Sequence, residues 1–112
     1  MPFLRLTVDM SSIESWDSFH AVFKEALGFP DFYGRNMDAW IDCLTSLDTP
    51  EDRLTAVHAP VGGVVVLELP GARALKVRCP DIYSALIECS AFVNYRRIAI
   101  GEDPVLCLSF FD

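Results

Sequence analysis

The run Val64-Val65-Val66-Leu67 sets three valines and a leucine in unbroken succession, bounded by Gly62-Gly63 before it and Pro70-Gly71 after it. A strand with one wet face alternates apolar and polar residues, so a continuous run predicts a strand covered on both faces, as in a parallel sheet. Parallel strands cannot be joined by a tight turn. They need crossovers of about a dozen residues or more, usually helical. The sequence on either side of this run therefore has to supply both partner strands and helices.

It does so in alternation. Leu4, Leu6 and Val8 alternate with Arg5 and Thr7, the period-2 pattern of a first strand. Ser11-Ser12-Ile13-Glu14 reads as a capping box, and Ile13, Trp16, Phe19, Phe23 and Ala26-Leu27 recur at helical spacing until Gly28 and Pro30 stop the run. Residues 28 to 36 form a compact loop with Phe29, Phe32 and Tyr33 among turn residues, in which Gly34 frees the backbone. Asn36 is a good N-cap for a helix from Met37 to about Leu47, with Met37, Trp40, Ile41 and Leu44 on one side and Asp38 and Asp42 on another. Residues 53 to 63 read as a long connection and residues 70 to 78 as a polar loop. A further helix is predicted from Pro80 to about Val93, burying Ile82, Leu86, Cys89 and Val93. Two apolar runs, Ile98 to Ile100 and Val105 to Phe111, flank Gly101-Glu102-Asp103-Pro104 and predict a terminal hairpin. The expected class is α/β: a small, mostly parallel sheet of three to four strands with packed helices, and an antiparallel hairpin strand at one edge. The 112 residues, 52% hydrophobic and 22% charged, suit one domain over residues 1–112.

Charge narrows the function. Between Asp9 and Asp52 stand ten acidic residues and two basic ones, Lys24 and Arg35, a net −8 within a chain of formal net charge −7. Such a segment attracts cationic surfaces and repels anions. Arg96-Arg97 is the only adjacent basic pair, which disfavours direct nucleic-acid binding. No run reaches the roughly 18 apolar residues of a membrane span, and the N-terminus lacks the apolar block and cleavage site of a signal peptide. A cytoplasmic protein without membrane contact is expected. Cys43, Cys79, Cys89 and Cys107 form no C-x-x-C pair and sit in apolar segments, as buried reduced thiols do. With only His20 and His58 beside them, neither at ligand spacing, no metal or cofactor is expected. Asp38, Asp42 and His58 could be imagined as an acid–base site, but no nucleophile or orienting motif accompanies them, so neither catalysis nor a small-molecule substrate is expected. His20 reads as a partly buried helix residue.

Asp38 and Asp42 lie four residues apart on one helical face, where like charges repel by a few tenths of a kcal/mol. Such a pair is either a solvated face or a docking helix for an anion-binding pocket. The stretch from Phe23 to Thr45, and within it Phe29-Pro30-Asp31-Phe32-Tyr33-Gly34-Arg35-Asn36-Met37-Asp38-Ala39-Trp40-Ile41-Asp42-Cys43-Leu44, favours the second through a resemblance. It resembles the signature of the barstar family of ribonuclease inhibitors, an apolar-Pro-x-aromatic-Tyr-Gly-x-Asn-x-Asp-Ala-x-x-Asp-x-Leu pattern.

The resemblance implies a barstar-like fold and an intracellular inhibitor, monomeric when free, that plugs the active site of a basic, secreted-type ribonuclease. Ribonuclease sites bind a phosphodiester with Arg, Lys and His, and carboxylates on a helix can take the phosphate's place. Carried over, Asp42 is the central phosphate mimic, Asp38 the second acidic contact and Phe32 the aromatic that covers the base-binding region. Tyr33, Gly34, Arg35 and Asn36 complete the partner-binding set, Gly34 and Asn36 more through loop closure and capping than through contact, and Glu88 on the last helix stands for a further acidic contact. Arg35 adds a positive charge to this face, able to pair with Asp31 or Asp38 or to meet an acid on the partner. Phe32 stands where the best-known member has tyrosine, which points to a different target. The alternative is an acidic interaction module, or an immunity protein for another cationic partner.

Overall fold

A computed structural model describes residues 1–112. Strand β1 (Phe3–Thr7) is followed by helices α1 (Trp16–Leu27) and α2 (Met37–Thr45), strand β2 (Val64–Leu69), helices α3 (Ala72–Arg78) and α4 (Pro80–Ala99), and strand β3 (Leu106–Phe110). The sheet has the order β1-β2-β3, and both pairings are parallel, with Leu4 opposite Val65, Leu6 opposite Leu67, and Leu67 opposite Leu108. The class is α/β as expected, but the terminal hairpin does not form. Ile98 and Ala99 end α4, and β3 runs parallel to β2.

The valine run is β2 and lies at the centre of the sheet, yet it is covered well on one face only. Val65, Leu67 and Leu69 are fully buried, whereas Val64, Val66 and Glu68 are half-buried. The expectation of two covered faces is corrected here. The helices pack on one side, and β-branched residues occupy the half-open face because they favour the pleated backbone. The same open face leaves Cys107 of β3 exposed, against the expectation of four buried thiols; all four cysteines are free.

Three further boundaries differ. Helix α1 is capped by Ser15, whose hydroxyl accepts from the Ser18 amide while the Ser18 hydroxyl accepts from the Ser15 amide, a reciprocal box four residues beyond the one predicted at Ser11. The Ser11 amide instead donates to Asp9 Oδ1, closing a turn that leaves Ile13 buried. Residues 72–78 are helix α3 rather than loop, held by burial of Ala72 and Leu75 and by Arg78, which donates to the carbonyls of Ile13 and Met10. Helix α4 runs six residues past Val93, and two side chains explain the extension. Asn94 accepts from the amides of Val105 and Leu106 and donates to the Leu106 carbonyl, pinning the start of β3 to α4. Arg97, 4% exposed, donates to both oxygens of Asp48 and to the carbonyls of Thr45 and Asp103. Helical geometry at residues 94 and 97 is what brings these donors to their partners.

An aromatic cluster fixes α2 against α1. Phe19 and Phe23 are 4.7 Å apart by ring centroid, and Phe23 meets Trp40 edge-on at 5.6 Å, all three fully buried. Such contacts add about 0.5–1.5 kcal/mol each beyond area burial. They set which face of α2 points outward. No helix is long and apolar enough to cross a membrane.

Candidate functional site

The loop between α1 and α2 begins at Gly28, whose φ of 68° closes α1 and whose missing side chain admits Ala56, a Cβ there lying only 2.5 Å from the Ala56 Cβ. Beyond it Phe29 and Tyr33 turn inward, with ring centroids 4.6 Å apart and exposures of 5% and 6%. The Tyr33 hydroxyl is hydrogen-bonded to His20 Nδ1, and Trp16 stacks on the His20 ring. Burial holds the Tyr33 phenol well above its ordinary range, and burial with the nearby Arg35 charge pushes His20 below its own. Tyr33, expected in the docking set, is thus a buried anchor, and His20 is more deeply buried than predicted.

With two aromatics inside, the third faces out. Phe32 is 79% exposed. The backbone then takes a left-handed residue at Arg35, φ 53°, rather than at Gly34 as the sequence suggested. Gly34 serves close approach instead, since a Cβ there would lie 3.3 Å from Asn36 Nδ2 and 3.5 Å from the Ala39 Cβ. Arg35 pairs with neither Asp31 nor Asp38; its guanidinium donates to the Asp17 carbonyl at 3.1 Å. Asn36 is the N-cap as expected, its Oδ1 accepting from the Ala39 amide at 2.8 Å.

Helix α2 buries Trp40, Ile41, Cys43 and Leu44 and exposes Asp38 and Asp42. Asp38 lies in the first turn, where the helix dipole favours its charge. Asp42 has an internal partner that the sequence did not reveal. Arg96 Nη1 on α4 donates to Asp42 Oδ1 at 3.0 Å. The Cys43 thiol behind this face is pushed up to about 11 by burial and by the Asp42 charge, so it stays protonated and inert near neutral pH.

Burial and the charges of Glu88 and Asp38 together push the Cys89 thiol on α4 up. Glu88 is exposed on α4 and forms no hydrogen bond or ion pair. At 3.6 residues per turn it lies about 80° around the helix from Arg96, on the side of Phe92 and Tyr95. The α4 side chain on Asp42 is Arg96, a residue missed because α4 was expected to end at Val93. No group of three His, Cys, Asp or Glu side chains could hold a metal ion. What remains is a protruding aromatic beside two exposed carboxylates on a well-anchored helix, suited to accepting charge-assisted hydrogen bonds from a cationic surface.

A family model described as Barstar (barnase inhibitor) matches residues 3–101. The chain belongs to the barstar family. The match extends the likeness read from residues 23–45 across strands β1 and β2 and all four helices. Among relatives, this barstar-family chain is 43% identical over 47 residues to the "Putative ribonuclease inhibitor YrdF" of Bacillus subtilis (strain 168), covering 41% of this chain and 52% of that one. The chain thus spans about half the length of the curated relative it matches.

Proposed function

We propose that this protein is a cytoplasmic inhibitor that covers the active site of a basic, secreted-type ribonuclease and performs no catalysis of its own. The observation that supports this most is Phe32, 79% exposed at the tip of a loop whose other aromatics are buried, immediately before a helix bearing Asp38 and Asp42 outward. Exposing a large aromatic on a rigid loop has a use at an interface, where aromatic anchors concentrate binding energy. Family membership and the name of the Bacillus relative point the same way.

In this reading Asp42 and Asp38 accept hydrogen bonds from the arginines and lysines that bind the substrate's phosphate, and Phe32 packs over the region that receives a base. Tyr33, Gly34 and Asn36 act indirectly, by fixing where Phe32 and the two acids stand, while Glu88 extends the face along α4. The remaining acids between Asp9 and Asp52 act at long range, raising the encounter rate with a cationic enzyme. Titrating a small basic ribonuclease with this protein should abolish cleavage near a one-to-one ratio at low salt, with affinity falling as salt rises. A single observation favours the second reading, an interaction module or immunity protein for another cationic protein: Arg35 and Arg96 put two positive charges among the acids of the face. Unchanged RNA cleavage across a panel of basic ribonucleases would leave that second reading in its place.

A further inference from the structure

The docking face carries its own counter-ion. Arg96 Nη1 holds Asp42 Oδ1 at 3.0 Å, and the guanidinium makes no other hydrogen bond within the protein. The two side chains are 41% and 62% exposed, so the pair stands in water, where an ion pair is weak and opens readily. Arg96 thus offsets the charge of Asp42, while Asp38 has no ion-pair partner and residues 9–52 carry a net −8. Long-range attraction and local contact therefore make different demands on a partner.

Building on the inhibitor reading, we propose that Arg96 is a specificity-determining residue: it competes with the partner's cations for Asp42, and docking exchanges one cation for another at that carboxylate. A covering partner removes the water that screens the pair. Arg96 displaced from Asp42 and left among the partner's arginines would then be a desolvated charge without a counter-ion, which is strongly unfavourable. A uniformly cationic site is thereby opposed. A site that sets a carboxylate beside its cations is accepted, because its carboxylate takes Arg96 while its cation takes Asp42. The partner that fits is a ribonuclease with a mixed-charge site.

Arg96→Gln tests this, since it keeps an aliphatic stem with a polar head, loses the charge and disturbs only an exposed contact. A hexa-arginine peptide serves as a probe that needs no ribonuclease. Calorimetry at low salt should show Arg96→Gln binding the peptide roughly two- to fivefold more tightly than the unmodified protein, the range set by an exposed ion pair. The gain should vanish in the Asp42→Asn background. No gain, or a gain that survives Asp42→Asn, overturns the proposal. Barnase, the enzyme in the family's description, is the second probe. Failure of both the unmodified protein and Arg96→Gln to bind barnase, with the peptide coupling intact, leaves the exchange at Asp42 standing and removes the inhibitor reading for that enzyme. Equal affinity of the two proteins for barnase overturns the role of Arg96 in selectivity.

Discussion

Arg97 and Arg96 are neighbours in sequence with opposite fates. Arg97 is buried and makes four hydrogen bonds that join the end of α2, the end of α4 and the approach to β3, whereas Arg96 stands at the surface with one. Replacing Arg97 by alanine would strand Asp48 and two carbonyls, so Arg97→Ala should cost about 3 kcal/mol in urea unfolding, somewhat below a fully buried pair because Asp48 reaches water. The same clamp makes stability depend on pH. Hydrogen bonds from Arg97 hold the Asp48 carboxyl below its ordinary value of 3.8, so the contribution is complete above that value and lost as acid protonates the folded form. His20 acts at milder pH. Burial lowers its folded pKa beneath the ordinary 6.5, so the unfolded chain binds the proton first and stability declines as pH falls below about 6.5. Unfolding midpoints at pH 7 and pH 5 should show this decline, and His20→Gln should flatten it.

The elements differ in how plainly the sequence announces them. Helix α2 and its Asn36 cap were legible because a cap, a turn and an apolar stripe agree over a dozen residues, and the outward placement of Asp38 and Asp42 follows from that stripe. Asn36→Ala should lower stability by about 1 kcal/mol, the usual worth of a cap, and should weaken docking as well because the first turn carries Asp38. Circular dichroism melts and an inhibition assay would separate the two effects. Helix α3 was not legible, since seven residues after Gly71, with no side-chain cap, owe their helicity to the distant carbonyls of Met10 and Ile13. The end of α4 failed for a related reason. Ile98-Ala99-Ile100 has strand propensity, and bonds from Asn94 and Arg97 to residues up to 52 positions away override it. Because that helix was cut short, Arg96 was separated from Asp42.

The architecture separates two jobs. A three-stranded parallel sheet with helices on one face buries Trp40, Phe19 and Phe23 at the back of α2, and so turns the opposite side of α2 outward beside α4. The loop before α2 is fastened by Phe29, Tyr33 and His20, which leaves Phe32 protruding. In the proposed reading the other acids between Asp9 and Asp52, apart from Asp48 in its clamp with Arg97, supply a field rather than contacts. The central claim is that Asp42 touches the partner while acids such as Asp52 only steer it. The most direct test is the dissociation constant of the complex with a basic ribonuclease, measured for the unmodified protein, Asp42→Ala and Asp52→Ala at one salt concentration. Asp42→Ala should weaken the complex by about 2–5 kcal/mol, as truncating one partner of a buried interfacial charge pair does, and mainly through faster dissociation. Asp52→Ala should change it by less than about 0.5 kcal/mol and act through the association rate. Equal, small losses at both positions would contradict the account and place the contact surface away from α2.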